Sequence, residues 1–511
     1  MSDFSNRIVK NTGWLYAKMG ITMFISLYAT RLILNALGAE DFGIYNVVGG
    51  AIAMLGFLNA SLASATQRFM SYAEGEGDYE KKKSIFNVSV LLHIVVAGIV
   101  FLLLFLAGVI FFHGVLNIPQ NRILASYFVY ASLVFSTVFT VTTVPYEALL
   151  NSHQNMRYYS IVGILEAFLK LAIAFVCVYT TSDKLIVYAI LMAAVPLITL
   201  SVMRVYCHRN YEECVLSLNR YFSRVLAKEM ASFAGWSFLN SMASMFTMQG
   251  MSILLNMFGG VIVNAAHAVA NQLAGQLMVF SNNMLKALNP VLVISKGAGR
   301  NDQMLEVAST GNKLSFLIYT FFAIPFVIET PYILDFWLKD TPEWAILFVR
   351  LVLIRQMISQ LTVTLDTCVN ATGNIRKMTM ISTFIWISPL IIGYFLYKEE
   401  FPIYTIYVLL IIMVIFRGLN SLYFCHVQCG LGIRDYLKDT FIPCIVQTLL
   451  LFVCLLTIYF SFEMSFMRLL YVMAVSMLLH PVLSFFVTLS RKEKLMVTGM
   501  IDGLLRKFIK G

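Results

Sequence analysis

FNVSVLLHIVVAGIVFLLLFLAGVIFF, residues 86–112, contains no Asp, Glu, Lys or Arg, and His93 is its one titratable side chain. As a helix it measures about 40 Å at 1.5 Å per residue, more than the roughly 30 Å of hydrocarbon in a bilayer. A backbone crossing lipid must satisfy its own N–H and C=O groups, and an α-helix does so within one segment. Working outward, apolar stretches of spanning length recur at 13–37, 43–67, 122–150, 159–180, 185–206, 229–258, 261–288, 313–334, 343–369, 378–396, 403–424, 441–460 and 466–489; with 86–112 as the third, these are predicted helices 1–14 in chain order. Over all 511 residues the chain is 59% hydrophobic and 13% charged, with a mean hydropathy of +0.78. A soluble domain carries about 25% charged residues. The expectation is an all-α, polytopic membrane protein with fourteen transmembrane helices. Disordered chains, disulfide-built secreted scaffolds and ordinary cytosolic enzymes are excluded.

The net charge of +10 would suggest nucleic-acid binding in a soluble chain. Here it reads as topology. With the N-terminus inside, only Lys184, Lys339 and Lys398 fall in the outside loops, while Lys and Arg crowd inside segments such as 68–85 and 207–228. Cytoplasmic loops are the basic ones, so both termini are expected in the cytoplasm and no nucleic-acid partner is expected. The opening MSDFSNRIVKNTG lacks the apolar core of a signal peptide, so the first helix is expected to be its own insertion signal. No GxxxxGK[ST] occurs, and no nucleotide-driven engine is expected. Cys425, His426 and Cys429 form the only metal-like spacing, a weak one; neither a metal nor a cofactor is expected. In the tail 491–511, Ile501, Leu504, Leu505, Phe508 and Ile509 recur at helical spacing among Arg506, Lys507 and Lys510. That pattern predicts an amphipathic helix lying on inner-leaflet lipids, the alternative being a frayed basic tail.

The chain repeats itself. Gly13-Trp14 recurs as Gly235-Trp236, and Leu32-Ile33-Leu34-Asn35 with Gly38 recurs as Ile253-Leu254-Leu255-Asn256 with Gly259. Glu147, Asn151, Asn155 and Arg157 recur as Asp366, Asn370, Asn374 and Arg376. Both offsets span six helices. An even number preserves orientation, so two parallel six-helix bundles are expected, related by an axis along the membrane normal. The expected layout is an N-terminal bundle at 1–206, a cytoplasmic linker at 207–228, a second bundle at 229–424, two peripheral helices within 425–490 and the tail at 491–511.

Arg31-Leu-Ile-Leu-Asn-Ala-Leu37-Gly38-Ala-Glu-Asp-Phe42-Gly43 resembles the first-helix signature of polysaccharide exporters. These are the O-antigen and capsule flippases of the superfamily that also holds multidrug/sodium antiporters and the lipid II flippase. The resemblance implies a transporter rather than an enzyme. It implies passage of undecaprenyl-pyrophosphate-linked oligosaccharide from the inner to the outer leaflet of a bacterial inner membrane, by alternating access. A glycan polymerase is a partner consistent with that role.

Ionisable side chains inside the hydrocarbon cost a few kcal/mol or more, so each needs a reason. Lys18 and Arg31 lie about 7.5 and 9 Å from the two ends of helix 1; both are able to snorkel, but the signature places Arg31 deliberately. Arg355 lies about 18 Å into helix 10, near mid-membrane, on one stripe with Ser359, Thr362 and Asp366. It reads either as substrate-facing or as half of a buried ion pair. The matching stripe in helix 4 is Ser136, Thr140, Thr143 and Glu147. Glu166 and Lys170, at i and i+4, form either a self-neutralised pair or a coupling carboxylate poised by a cation. Glu147 with Arg157, and Asp366 with Arg376, read either as salt bridges closing the cytoplasmic mouth or as ordinary helix-end electrostatics. Asn264, His267 and Asn271 share a face of helix 8, where amides suit either sugar hydroxyls or interhelical bonds.

The expected mechanism follows the substrate's three parts. The lipid tail stays in the bilayer, the sugars need a wet cavity, and the pyrophosphate needs cations. Arg31, Arg355, Lys170, Lys18 and Lys286 are the candidates for the last. A headgroup with two negative charges gains about 4–5 kcal/mol on leaving a cell 100 mV negative inside, so a proton or sodium ion need only reset the empty carrier. The rival readings are a multidrug/cation antiporter, which would favour an acidic cavity, and an intramembrane glycan polymerase or ligase, which would need a larger outside loop.

Overall fold

The computed structural model describes residues 2–53, 56–112, 119–338, 340–495 and 498. The amphipathic pattern at 501–510 therefore lies outside the described residues. Among those described there is no β-strand. The main helices are α1 (Ser2–Ala53), α2 (Gly56–Glu76), α3 (Tyr79–Ile110), α4 (Ile123–Ser152), α5 (Met156–Tyr179) and α6 (Lys184–Asn210). A one-turn α7 (Leu218–Tyr221) precedes α8 (Arg224–Gly297), α9 (Asn301–Leu338), α10 (Ala345–Gln360), α11 (Val363–Thr372), α12 (Arg376–Lys398) and α13 (Thr405–Cys429). The chain closes with a one-turn α14 (Ile433–Tyr436), α15 (Ile442–Ser461) and α16 (Phe466–Leu483). Among the described residues, eleven helices are long and apolar enough to cross a membrane, or twelve if α10 and α11, bent by 43°, are one span. The chain is thus an all-α, multi-pass membrane protein.

Two of the longest helices are not straight. α1 breaks at Gly38 (φ 78°, ψ 169°) and α8 at Gly260 (φ 76°, ψ −173°). Both glycines occupy a region that is essentially closed to any residue with a Cβ. At the second break the chain folds back, because Ser252 Oγ donates to Asn264 Oδ1 over 2.7 Å, whereas twelve residues of straight helix would hold them about 18 Å apart. The 74-residue α8 is therefore two arms that meet at Gly260. The breaks are 222 residues apart, so the geometric counterpart of Gly38 is Gly260 rather than its neighbour Gly259.

The chain forms two compact units. One holds Lys10–Ser241 with Val293–Gly299; the other holds Met1–Val9, Met242–Leu292 and Arg300–Gly511. The division falls inside α8. In the first unit, Ile44, Val48, Val100, Leu104 and Val129 pack as one core. In the second, Leu255, Ala266, Ala270, Tyr319, Phe348 and Tyr407 pack as another. Small residues on α8 let backbones approach, the usual basis of helix packing where lipid removes the hydrophobic drive.

Helices α15 and α16 pack on α9 through Ile324, Ile328, Leu451, Leu455 and Val472. An ion pair reinforces this. Pro331 has no N–H for the carbonyl of Val327, and α9 deviates from helix at Glu329. Arg350 Nε donates to the Val327 carbonyl at 2.9 Å. Glu329, fully buried, takes a bidentate pair from Arg468 of α16 at 2.8 and 3.0 Å.

Candidate functional site

The α10–α11 bend shapes a cavity in the second unit. Its geometry is held by Asn312 of α9, whose Oδ1 accepts from the Thr364 N–H at 2.9 Å while its Nδ2 donates to Tyr436 Oη at 2.7 Å. Tyr436 in turn donates to the Leu361 carbonyl, which the bend leaves outside the helical ladder. The cavity, about 380 Å³, is enclosed by α8, α10, α11, α12 and α13. Arg355, Ser359, Thr362 and Asp366, the stripe read from sequence, all line it.

Asp366 is committed to α13. Its carboxylate takes Arg417 Nη2 at 2.8 Å and a hydrogen bond from Ser421 Oγ. Arg417 also lies over the ring of Trp386, 5.1 Å from its centroid. Arg355 is different: Tyr319, Tyr407 and the like-charged Arg417 act on it electrostatically, and its Nε is buried with no hydrogen-bond partner. Among the described residues no carboxylate lies within ion-pair distance of Arg355. The cavity's charged lining is two arginines against one aspartate, an excess of one positive charge.

The polar face of α8 turns to the protein. His267 Nδ1 lies 2.7 Å from Tyr407 Oη, and Asn271 Nδ2 lies 2.9 Å from His267 Nε2. With Asn264 bonded to Ser252, these groups make hydrogen bonds inside the unit. Lys286 is half-buried farther along the same arm.

The remaining candidates sit in the first unit, apart from Arg376, which opens α12 and is exposed. Lys18 lies over Tyr159 of α5, 4.3 Å from the ring centroid, with its stem against Gly163. Glu147 and Glu166 act electrostatically on the same tyrosine. Lys170 pairs with Glu166 at 2.6 Å. Arg31 is exposed, on the side of α1 opposite Ala29 and Ile33, which enter the unit's core. Arg157 lies 5.6 Å from the Trp14 ring.

Two charge clusters were not singled out from sequence. Arg122 joins Asp41 to Asp183. At the other end of the unit, Glu74 of α2, Lys82 of α3, His153 after α4 and Glu213 of the 211–217 segment converge. Lys82 Nζ lies 2.8 Å from Glu74 and 3.4 Å from Glu213, and His153 Nε2 lies 2.5 Å from Glu213. Burial works against the charge on Glu213, but its bond to His153 prevails and its carboxyl is pushed down to about 2. Ligand atoms of Glu74, His153 and Glu213 fall within 4.8 Å of one another; the ammonium of Lys82 already supplies a cation to both carboxylates. At the weak metal-like spacing, His426 Nδ1 lies 2.7 Å from the Leu431 carbonyl and Cys429 Sγ 3.6 Å from that of Cys368.

A family model described as "Polysaccharide biosynthesis protein" matches residues 8–295. The chain is 22% identical over 307 residues to the "Uncharacterized membrane protein EpsK" of Bacillus subtilis (strain 168), covering 58% of this chain and 59% of that protein. It thus spans less than two thirds of that relative's length. Among solved structures, an outward-facing multidrug resistance MATE family transporter of the MOP superfamily superposes with a TM-score of 0.71, at 14% identity over 85% of this chain and 97% of its own. A MOP superfamily transporter from Pyrococcus furiosus, described as having a binding pocket of reverse polarity, gives 0.70 at 13% identity over 84% and 96%. The fold is MATE-like.

Proposed function

We propose that this chain, which belongs to the polysaccharide biosynthesis protein family, is a flippase that carries undecaprenyl-pyrophosphate-linked oligosaccharide from the inner to the outer leaflet of a bacterial inner membrane. The observation that carries this reading is Arg355: a permanently charged guanidinium with a buried, unpartnered Nε, lining a cavity that has no counter-ion to spare. An anionic group on the cargo would supply one. O-antigen, capsule and exopolysaccharide repeat units all fit the reading.

The architecture proposed with it is fourteen crossings, both termini cytoplasmic, and two six-helix bundles at 1–206 and 229–424 with the linker at 207–228. Two crossings would come from the arms of α8. Another would be 43–67, which takes in the end of α1 and the start of α2. The pair α15–α16 would be peripheral, and 491–511 would rest on inner-leaflet lipids. Arg31 is the proposed cation of the first bundle, exposed where a headgroup could reach it; Lys18, Lys170 and Lys286 would add to the field. Glu166 is the proposed coupling carboxylate, for a proton or sodium ion. Glu147, Asp366, Arg157 and Arg376 would act at the cytoplasmic gate, with Asn264 and Asn271 near the sugars. A glycan polymerase would take the product.

A multidrug antiporter shares the MATE-like fold, but the excess positive charge at Arg355 would repel a cationic drug. The test is transport. In proteoliposomes, wild type should flip a lipid-linked oligosaccharide, and Arg355→Ala and Arg31→Ala should each lose most of that rate at normal folded abundance. Full rates in both variants would refute the cationic route. Reporter fusions after Tyr206 and Ser490 should both read cytoplasmic; a periplasmic signal at either breaks the topology.

A further inference from the structure

We infer that the cavity bounded by α10, α12 and α13 is a subsite for a sugar bearing a phosphate, with Arg355 holding the phosphate and Trp386 the sugar. The inference rests on the flippase reading for its cargo and goes beyond it by naming a pocket and a second recognition residue.

Two donors in this one cavity lack partners. Arg355 Nε and the indole Nε1 of Trp386 are both buried and make no hydrogen bond. Leaving a buried donor unsatisfied forfeits its full desolvation cost; both side chains line the cavity, and a turn of each toward it would let a ligand carrying acceptor oxygens recover that cost. The donors differ in kind. A guanidinium prefers a phosphate oxygen and binds it as a fork, whereas an indole N–H is neutral and serves a hydroxyl or ring oxygen equally well. A ligand that satisfies both carries an anion at one end and neutral oxygens at the other.

The surroundings agree. Asp366 is occupied by Arg417 and Ser421, so it does not neutralise Arg355, and the cavity lacks one negative charge. Arg417 lies against the indole and fixes its plane; it is a positioning residue. Gln356, Ser359 and Thr362 add amide and hydroxyl groups along the same wall, while Met248, Met278 and Met413 offer apolar surface. Amides and hydroxyls both donate and accept, as sugar hydroxyls require. At about 380 Å³ the space is near the low end of the roughly 300–1,000 Å³ of small-ligand pockets. It suits one substituted ring rather than a repeat unit.

Phosphate on a polyol reaches this cavity from two sources: the lipid-linked sugar, or a bilayer lipid such as phosphatidylglycerol. The experiment separates them. The full chain in phosphatidylcholine nanodiscs is titrated with geranyl-phosphoryl-glucose, geranyl phosphate and geranyl glucoside, using wild type, Arg355→Gln and Trp386→Phe. Wild type should bind the phosphosugar tightest. Arg355→Gln should weaken both phosphate probes about tenfold or more and leave the glucoside unchanged. Trp386→Phe should weaken the phosphosugar several-fold and leave geranyl phosphate unchanged, a selectivity that a merely structural tryptophan would not give. Equal losses for all three probes in Trp386→Phe, or no loss, would overturn the sugar subsite. Full competition by added phosphatidylglycerol would reassign the cavity to bilayer lipid and overturn the inference. Gel filtration and helical circular dichroism confirm folding, and Gln356→Ala gives a second, milder lesion expected to act as Trp386→Phe does. Failure here is distinguishable from failure of the flippase reading. Transport without phosphosugar binding overturns the subsite alone, and binding in a wild type that transports nothing supports the subsite while overturning the flippase.

Discussion

Gly75 and Gly297 lie tight against the backbone of a neighbouring segment in the first unit, and adding one methyl group to either should be costly. A Cβ built on Gly75 would sit 2.1 Å from the Ile294 carbonyl oxygen and 2.9 Å from the Ala298 nitrogen; one on Gly297 would sit 2.1 Å from the Tyr72 carbonyl oxygen. Favourable carbon–oxygen contacts lie at about 3.3–3.6 Å, so α2 and the end of α8 would have to part by more than about 1 Å. The obstacle is backbone rather than the tip of a flexible side chain, and overpacking of this kind costs about 1–3 kcal/mol. Gly13 and Gly235 are the internal controls, because nothing lies within 4 Å of a Cβ on either. There Gly→Ala should gain about 0.5–1 kcal/mol from helix propensity. The four single alanine variants should therefore split in sign. Seven of the eight cysteines are buried, so a thiol-reactive dye read during heating reports unfolding directly. Gly75→Ala and Gly297→Ala should melt below wild type, and Gly13→Ala and Gly235→Ala at or above it. The double variant at 75 and 297 should cost less than the sum of the two, since one clash opens the crossing for the other. Melting points for Gly75→Ala or Gly297→Ala at or above those of the controls would refute the reasoning.

Glu329→Gln or Arg468→Met would each strand a buried charge or amide against α9, a loss of about 3–5 kcal/mol; thermal unfolding should show each single variant below the paired Glu329→Gln/Arg468→Met double. Gly38→Ala and Gly260→Ala should each destabilise by about 1–3 kcal/mol because φ near +77° with extended ψ excludes a Cβ, and a neutral melting point in either would deny that the break needs glycine. Glu213, ordinarily near 4.5, is pushed down to about 2 in the folded chain. Its contribution is therefore fully present above about pH 4.5 and lost as pH falls through about 2; acid unfolding of Glu213→Gln should show a shallower pH dependence across that window, and an unchanged slope would dismiss the His153–Glu213 bond as a source of stability.

The features of the fold that were legible in sequence are those that depend on the chain's local chemistry. Each spanning-length apolar stretch lies mostly on helix, but 343–369 is interrupted at residues 361 and 362, several stretches begin or end one or two residues outside their helix, and residues 54 and 55 are not among those described. The break at Gly38 and its repeat were readable as a motif, but the second copy holds two adjacent glycines. Composition cannot say which of Gly259 and Gly260 takes positive φ; the backbone geometry does. The 43° bend between α10 and α11 left no proline or glycine to read. It is held from outside by Asn312, 52 residues before the Thr364 N–H it bonds, and by Tyr436, 75 residues beyond the Leu361 carbonyl it bonds; partners that distant in sequence leave no periodic trace.

The charged groups were legible in proportion to how little they depend on a partner. Periodicity on one helix was enough to place Arg355, Ser359, Thr362 and Asp366 on a single stripe, and they line a single cavity. It could not identify the counter-ion of Asp366, because Arg417 approaches from α13. The signal for Arg417 was nevertheless in the sequence: an arginine inside the stretch 403–424 is as expensive in lipid as Arg355, and the same rule points to Glu329 and Arg468. What the rule lacks is pairing. Glu329 and Arg468 neutralise one another, so their expense is met by each other, and Arg417 meets Asp366. Arg355 is the one of these arginines left with a buried unpartnered nitrogen. A charge whose cost is met inside the fold explains itself by stability, whereas a charge whose cost is not met calls for a ligand. That difference, invisible in the sequence, is why the cavity at Arg355 rather than the ion pair at Glu329 is where cargo should be sought.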